Sequence, residues 1–299
     1  MDRKLNGKVV VITGASSGFG KGVARKLAKM GASLVLAARR YELLEELSQE
    51  TQDLAGTAIA IPTDVSKVEE VENLFKSAIA TFGRIDVWIN NAGAAAIGNF
   101  SEVPLEDHEK VLSTTLNGTL YGSYFAMREF IENNSGTLIN VASMIGRIPA
   151  PYYASYAAAK HGVLGLSGSL RQELTERRLD NIHVCTVLPM AMDTPFFEHA
   201  ANYTGHEAQP IPPLNEAEDV IDAIIDLIFQ PKAELAVGKG SGVFSVSDAL
   251  APGLTEKLMA ANTHKSQIEK APPAPPHTGN LHHPSPDGSE VHGDFRAGL

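Results

Sequence analysis

The chain has 299 residues, of which 43% are hydrophobic, so its length and composition suit one α/β domain with a sizeable core. Its 25 basic and 35 acidic residues give a net charge of −10, which disfavours a nucleic-acid partner because such partners select a basic face. No apolar run approaches the length of a membrane span or of a signal peptide, and the single cysteine, Cys185, excludes an intrachain disulfide. We therefore expect a soluble, cytoplasmic protein.

Short apolar, β-branched runs alternate with helical patterns over the first 190 residues. The predicted strands are residues 9–13, 33–38, 58–62, 86–90, 137–142 and 183–188. Because these runs are continuously apolar, they indicate a parallel sheet that is buried on both faces. Long helices are predicted over residues 105–131 and 153–174, and a helix over residues 216–229 precedes a last strand at 234–237. The alternation predicts an α/β fold with a doubly wound parallel sheet, formed as a single domain by residues 1–263.

Residues 264–299 differ in composition, since they are rich in proline, glycine and histidine. Such a segment contains too little apolar surface to offset its own ordering entropy, so we predict a flexible or extended tail. Docking of the tail on a neighbouring subunit is the alternative. His277, His282 and His283 have no acidic or cysteine partner at ligand spacing, and we therefore expect no metal site.

A glycine-rich turn follows the first predicted strand and opens a helix. Residues 13–20 have the sequence Thr-Gly-Ala-Ser-Ser-Gly-Phe-Gly, with the spacing G-x-x-x-G-x-G. Glycine has no Cβ, so the backbone can approach a pyrophosphate closely, and the helix N-terminus directs free N–H groups at it. The hydroxyls of Ser16 and Ser17 add donors. The turn predicts a dinucleotide site that includes Gly14, Gly18, Phe19 and Gly20.

The end of the second strand indicates which nucleotide binds. An acidic residue there would accept hydrogen bonds from the ribose hydroxyls of NAD, but the strand ends in Ala38, Arg39 and Arg40. Arg39 can form a charge-assisted pair with a 2′-phosphate, worth about 1.5–3 kcal/mol or roughly 10–100-fold in affinity. These residues therefore favour NADP(H). A solvated loop carrying both arginines is the alternative.

Tyr156 and Lys160 lie four residues apart in a predicted helix, so their side chains share one face. A fixed ammonium favours the phenolate, and we predict that Lys160 lowers the pKa of Tyr156 and makes the pair a workable acid/base. Ser143 follows the fifth predicted strand, where parallel sheets place their ligands, and residues 90–93 (Asn-Asn-Ala-Gly) end the fourth. Asn117 lies inside a predicted helix, a poor place for an amide that has no role.

These motifs together resemble the short-chain dehydrogenase/reductase family. The resemblance runs in chain order over about residues 5–240 and also includes Pro189 and Thr194. It implies a Rossmann-type fold and an NADP(H)-dependent oxidoreductase that interconverts a carbonyl and an alcohol by hydride transfer. It also implies a small-molecule substrate and assembly as a homodimer or homotetramer.

The resemblance assigns a role to each matching residue. Tyr156 would exchange the substrate proton, Lys160 would bind the nicotinamide ribose, and Ser143 would hold the substrate oxygen. Asn117 would distort its helix and hold a water of the proton relay, and Asp64 would bind the adenine. The remaining residues that it places along the cofactor are Val65, Asn91, Ala92, Gly93, Pro189, Met192 and Thr194.

Two residues depart from the family pattern. Met190 follows Pro189 where glycine is usual, and Phe19 stands in the glycine turn where a smaller aliphatic residue is common. The residues expected at the substrate mouth are mostly apolar, which predicts an apolar ketone, aldehyde or secondary alcohol. They are Ser143, Ile145, Tyr152, Met190 and Phe196. Residues 195–213 are expected to form a mobile lid.

Three other functions stay open on the sequence alone. The first is an NAD-dependent alcohol dehydrogenase of the same family in which Arg39 is unused. The second is a catalytically silent regulator that binds NADPH. The third is a scaffold that uses its proline-rich tail as a ligand for aromatic grooves.

Overall fold

Helices and strands alternate along the chain in the computed structural model, which describes residues 4–241, 252–285, 287–293 and 295. The strands are β1 (Val9–Thr13), β2 (Ser33–Ala38), β3 (Thr57–Pro62), β4 (Val87–Asn90), β5 (Ala96–Ile97), β6 (Gly136–Val141), β7 (Ile182–Pro189), β8 (Ala201–Asn202) and β9 (Glu234–Val237). The helices are α1 (Gly18–Lys29), α2 (Tyr41–Gln52), α3 (Val68–Phe82), α4 (Leu105–Leu112), α5 (Gly118–Asn133), α6 (Ala154–Glu176), α7 (Phe196–His199), α8 (Ala217–Phe229) and α9 (Pro252–His264).

Seven parallel strands form the central sheet in the order β3-β2-β1-β4-β6-β7-β9. The side chains of β1, β4 and β6 are buried along their whole length because helices cover both faces of the sheet. Apolar side chains of α1, α2 and α8 pack on one face, and those of α3, α5 and α6 pack on the other. The strand order reverses between β1 and β4, which leaves a crevice at the carboxyl ends of these two strands.

The prediction of a doubly wound, single-domain Rossmann-type fold is confirmed. Each of the six predicted strands lies within one residue of its expected ends, and β9 has the expected bounds. A π-helical turn, Ser113–Asn117, divides the long helix that was predicted over residues 105–131. The pair β5/β8 and the helix α7 were not predicted, because elements of two to four residues carry no periodic pattern. None of the helices among the described residues combines the length and apolar composition of a membrane-crossing helix.

Regular structure continues past the predicted start of the tail. Helix α9 ends at His264, and a π-helical turn, Lys265–Glu269, follows it. The described residues beyond 269 cross the body without forming a helix. The tail nevertheless buries apolar side chains, since Leu281 is 2% exposed and Val291 is 8% exposed. The tail has too little apolar surface to form a core of its own, but these two residues insert into clusters that the body supplies. The flexibility of the tail stays a prediction.

Candidate active site

One cleft, with about 1980 Å³ of empty space including its open mouth, lies along the carboxyl ends of the sheet strands. Its walls bring together most of the predicted site residues. They are Gly14, Ser16, Ser17, Gly18, Phe19, Arg39, Asp64, Val65, Asn91, Ala92, Gly93, Ser143, Ile145, Tyr156, Lys160, Pro189, Met190, Met192, Thr194 and Phe196. Three predicted site residues, Gly20, Asn117 and Tyr152, do not line the cleft.

The glycine turn needs glycine at two points for steric reasons. Gly14 has a φ of +68°, and a Cβ placed on it would lie 2.9 Å from the Cα of Ala92. A Cβ on Gly20 would overlap the carbonyl oxygen of Gly14. Gly20 therefore packs behind the turn, and its role is to let α1 approach β1 closely. Gly18, with a φ of +53°, opens α1 on the cleft side.

Hydrogen bonds between Thr13, which ends β1, and Asn91, which follows β4, brace the turn. The Asn91 amide Nδ2 donates to the carbonyl oxygens of Thr13, at 3.0 Å, and Gly14, at 3.2 Å. The Thr13 hydroxyl in return accepts from the backbone N–H groups of Asn91, at 3.1 Å, and Ala92, at 3.2 Å. These bonds fix the ends of β1 and β4 against each other, so the backbone of the turn is held open toward the cleft.

Hydrogen bonds hold both arginines that follow β2. Arg39 donates to the carbonyl oxygens of residues 280–282, and Arg40 donates to the hydroxyls of Ser16, at 3.1 Å, and Ser17, at 2.8 Å. Burial lowers the pKa of both guanidinium groups below its usual value, and Asp64 partly offsets this for Arg39. Both therefore stay charged at neutral pH. Neither forms an ion pair with a carboxylate of the described residues.

Asp64 lies at the same end of the cleft as Arg39, and its carboxylate is already hydrogen-bonded. It accepts from the backbone N–H of Ser66, at 3.0 Å, from the Ser66 hydroxyl, at 2.7 Å, and from Lys110 Nζ, at 3.1 Å. Burial opposes ionisation, but these bonds outweigh it and hold the pKa of Asp64 below its usual range. The carboxylate is therefore ionised and fixed beside Val65.

The catalytic candidates converge at the other end of the cleft. Lys160 Nζ donates to the carbonyl oxygen of Val141 at 2.6 Å and lies 5.6 Å from the centre of the Tyr156 ring. Tyr156 is hydrogen-bonded to Ser143, whose Oγ also accepts from the backbone N–H of Ile145 at 3.3 Å. Helix α6 thus presents a phenol and an amine to the cleft, and the end of β6 presents a hydroxyl beside the phenol.

Burial controls the ionisation of these side chains. It raises the pKa of Tyr156 above its usual range, and the hydrogen bond with Ser143 offsets only part of this. It also lowers the pKa of Lys160 to about 7. The prediction that Lys160 lowers the pKa of Tyr156 is therefore wrong for the protein alone. Both groups are enclosed, so the neutral form of each is favoured over the charged form.

Asn117 is the last residue of the π-helical turn between α4 and α5. The turn lies close to Lys160, because a Cβ placed on Gly93 would be 3.6 Å from both Lys160 Nζ and Thr115 Oγ1. Thr115 ties the turn to the end of β4 by accepting from the N–H of Ala94 and donating to its carbonyl, each at 3.0 Å. Asn117 itself does not line the cleft.

Apolar side chains dominate the wall beyond Tyr156. The ring of Phe196 lies 5.3 Å from the ring of Tyr156, centre to centre. Tyr152 differs from its prediction, since its hydroxyl is hydrogen-bonded to His264 Nδ1 at 2.7 Å and points away from the cleft. Sequence reasoning also missed lining residues that come from distant segments and carry no local signal. They are Ile211, Met259, Asn262, Asn280 and Pro284.

Comparison with known proteins gives a consistent result. The family model for short chain dehydrogenase matches residues 8–203. An uncharacterised oxidoreductase of Bacillus subtilis, YxnA, is 36% identical over 279 residues, covering 91% of this chain and 77% of YxnA. A 3β-hydroxysteroid dehydrogenase of Eggerthella lenta is 35% identical over 210 residues, covering 69% of this chain and 77% of that protein. The chain belongs to the short-chain dehydrogenase family.

A solved member of this family has the same architecture. The short-chain type dehydrogenase/reductase of Mycobacterium marinum superimposes with a TM-score of 0.68 at 26% identity, covering 80% of this chain and 96% of that one. The protein described here is therefore a short-chain dehydrogenase, an oxidoreductase that uses a nicotinamide cofactor, NAD(H) or NADP(H).

The cleft of this short-chain dehydrogenase fits such a dinucleotide. Gly14 and Gly18 line the cleft without side chains, and Ser16 and Ser17 offer hydroxyl donors beside them. The guanidinium groups of Arg39 and Arg40 supply positive charge at the same end. A donor set of hydroxyls and guanidiniums suits phosphate groups.

Proposed function

We propose that the protein reversibly reduces an apolar ketone or aldehyde to its alcohol with NADP(H), and that Tyr156 exchanges the substrate proton. The observation that carries this proposal is the arrangement of one cleft. Tyr156, Ser143 and Lys160 meet at one end, and the glycine turn with Arg39 lies at the other. The distance between the ends suits a ligand that is long and anionic at one terminus.

The choice of NADP(H) over NAD(H) rests on charge. Arg39 and Arg40 are adjacent, stay protonated and have no carboxylate partner among the described residues. Tail carbonyls accept their hydrogen bonds but carry no net charge, and Asp64 compensates the charge of Arg39 only in part. A 2′-phosphate would supply the missing negative charge.

The catalytic roles follow from the contacts of each side chain. When bound, the cofactor supplies or accepts the hydride. The hydroxyls of Ser143 and Tyr156 interact with each other, so they would orient a substrate oxygen that binds beside them. Their hydrogen bonds strengthen as negative charge develops on that oxygen, which lowers the barrier. Tyr156, neutral because it is buried, would then donate its proton.

Lys160 would complete the proton path behind Tyr156. A pKa of about 7 lets its Nζ either hold or release a proton near neutral pH. Its hydrogen bond to the Val141 carbonyl fixes the nitrogen beside the phenol ring. We propose that Asn117, in the π-helical turn next to this nitrogen, holds a water that continues the path.

The apolar wall indicates the substrate class. Ile145, Met190 and Phe196 line the cleft next to Tyr156, and Met259 closes it from α9. Such walls bind uncharged, apolar molecules and exclude water from the reacting atoms. A substrate of this class also suits the relative whose name describes a hydroxysteroid dehydrogenase.

We also propose that the protein assembles as a homodimer or homotetramer. Large apolar side chains on and next to α4 and α5 are exposed: Phe100 by 68%, Leu105 by 71% and Tyr124 by 56%. Apolar groups clustered at a surface commonly form an interface. Sedimentation velocity of the purified chain tests this part of the proposal, and a monomer at all concentrations would refute it.

The cofactor and the reaction can be tested with the same preparation. We expect fluorescence titration to show clearly tighter binding of NADPH than of NADH. We then expect consumption of NADPH with bulky apolar ketones or aldehydes and little with anionic carbonyls. Turnover restricted to anionic carbonyls would refute the substrate class. Binding of NADPH without turnover on any carbonyl would instead indicate a regulator without catalytic activity.

One observation favours NAD(H) as a second candidate. Arg39 already donates to three tail carbonyls, which leaves it few N–H groups for a phosphate. If the tail keeps these bonds in the complex, the preference for NADPH weakens. Equal or tighter binding of NADH in the titration would establish this candidate, and alcohols with NAD would then be the substrates to test.

A further inference from the structure

Residues 279–285 and 287–291 of the tail lie across the end of the cleft that carries Arg39, and we call them the C-terminal strap. The guanidinium of Arg39 donates to three consecutive strap carbonyls, those of residues 280–282. Further along, the backbone N–H of Gly18 in the glycine turn donates to the carbonyl of Glu290 at 2.9 Å. The strap therefore joins the two parts of the protein that surround the phosphate groups in the proposed complex.

Two more cations bind the strap between these points. Arg40 donates to the carbonyl of Asp287 at 2.9 Å and also to those of Ser285, at 3.3 Å, and Gly288, at 3.5 Å. Lys21 Nζ, one turn into α1, donates to the carbonyl of Ser289 at 2.9 Å. In all of these contacts the donor belongs to the nucleotide-binding body and the acceptor is strap backbone.

The strap is anchored at both ends outside the cleft. His282 Nε2 donates to the carboxylate of Asp107 at 2.6 Å, and Asp107 is itself 1% exposed and accepts from Tyr203 as well. Leu281 and Val291 are buried in two different apolar clusters of the body. These contacts define one seated position of the strap.

The strap forms a wall of the cleft and does not fill it. Asn280 and Pro284 line the same space as the glycine turn and Asp64. Carbonyl groups orient the guanidiniums but carry no net charge, so Arg39 and Arg40 remain able to attract a phosphate. A dinucleotide in the cleft would have this segment over its adenosine end.

We propose that the C-terminal strap retains the bound dinucleotide: it lifts to admit the cofactor, closes over the adenosine phosphates and slows their release. This inference rests on the dinucleotide site of the proposed function but not on which nucleotide binds there. Because the strap meets Arg39, Arg40 and Lys21 through its backbone, the variants that test it most directly prevent its seating.

Two glycines of the strap allow such a test in the full-length chain. Gly279 has a φ of +50°, and a Cβ on it would overlap the backbone carbonyls of His199 and Ala200. Gly288 has a φ of +64°, and a Cβ on it would overlap His199 Nε2. The matched control is Gly83→Ala, at a φ of +75° with nothing within 4 Å of the added Cβ. The control has a similar backbone strain without the collision.

The measurement is the rate of NADPH release, followed by the loss of nicotinamide fluorescence after mixing the complex with excess NADP⁺. We expect Gly279→Ala and Gly288→Ala to release NADPH about tenfold faster, the effect of losing one charged hydrogen bond. Gly83→Ala should match the parent chain. Circular dichroism at the assay temperature establishes that each variant is folded.

Each outcome distinguishes this proposal from the proposed function. Unchanged release in both folded variants overturns the strap proposal and leaves the oxidoreductase intact. If the parent chain binds NADH and not NADPH, the nucleotide choice is wrong, and the same release experiment with NADH decides the strap. If only the glycine variants bind a dinucleotide, the strap blocks the site and does not retain the cofactor. Binding of neither dinucleotide to any variant overturns both proposals.

Discussion

Each end of the cleft carries a basic side chain that donates hydrogen bonds to backbone carbonyls. At the adenosine end, Arg39 donates to strap carbonyls. At the catalytic end, Lys160 donates to the carbonyl of Val141. Neither side chain forms an ion pair with a carboxylate of the described residues, and burial lowers the pKa of both.

The same burial has opposite chemical consequences at the two ends. The usual pKa of arginine lies so far above neutral that Arg39 keeps its charge in spite of its burial. The pKa of lysine starts at 10.5 and falls to about 7 for Lys160, which can therefore gain or lose a proton near neutral pH. Both side chains are buried, but Arg39 stays charged and suits an anion, whereas Lys160 can exchange a proton.

The largest effect is expected from replacing Tyr156, the proposed proton donor. We expect Tyr156→Phe to lower kcat for carbonyl reduction by about 10²–10⁴-fold, because the hydroxyl that donates the proton is removed. Binding of NADPH should persist, since the arginine end is unchanged. Steady-state kinetics and a fluorescence titration measure the two effects. Tyr41→Phe, on the exposed face of α2, is the control, and equal activity of both variants would remove Tyr156 from the mechanism.

The buried amine predicts a dependence of stability on pH. The folded pKa of Lys160, about 7, lies below its unfolded value of 10.5, so above pH 7 the unfolded chain binds more protons. The free energy of unfolding should therefore rise as the pH increases from about 7 toward 10.5, by up to a few kcal/mol. The destabilisation is greatest at and below pH 7.

Urea denaturation of the parent chain and of Lys160→Met at several pH values tests this prediction. The difference in unfolding free energy between the two should shrink or reverse as the pH rises above 7, because the variant lacks the buried amine. Lys26→Met, which removes a surface lysine paired with Asp222, should show no such trend. A constant difference would mean that Lys160 keeps its proton in the folded protein.

The permanent charge of Arg39 predicts selectivity between NADPH and NADH. We expect Arg39→Ala to weaken NADPH binding about 10–100-fold, because the charged bond to the 2′-phosphate is lost, and to weaken NADH binding much less, because only the contacts of Arg39 with the strap are lost. Arg25→Ala, which removes an arginine paired with Glu50 outside the cleft, should change neither affinity. Equal losses for both nucleotides would show that Arg39 acts only by holding the strap.

The smallest effect concerns the anchor of the strap. We expect His282→Ala to speed NADPH release by about two- to fivefold, since it removes one hydrogen bond, to Asp107, and leaves the carbonyl contacts in place. His283→Ala is the matched control, because the neighbouring side chain is exposed. An identical release rate in the two variants would show that the Asp107 contact does not hold the strap.

Much of the fold could be predicted because its signals are local. The continuously apolar runs of β1 and β2 give their bounds directly, and the glycine turn marks where the first crossover begins. The cleft residues that follow strands, such as Ser143, are predictable because carboxyl ends of parallel strands meet at one edge. Signals of this kind were absent for β5, for α9 and for the lining residues Met259 and Asn280.

The sequence by itself determined the sheet, the glycine turn and the spacing of Tyr156 and Lys160, because each depends on residues within a few positions of one another. Only the tertiary structure decided how these groups ionise, since the pKa of Tyr156 and of Lys160 depends on burial by distant segments. It also decided where the tail lies. The contact between Arg39 and residues 280–282 joins positions about 240 residues apart, and no local pattern records which carbonyl a guanidinium will meet.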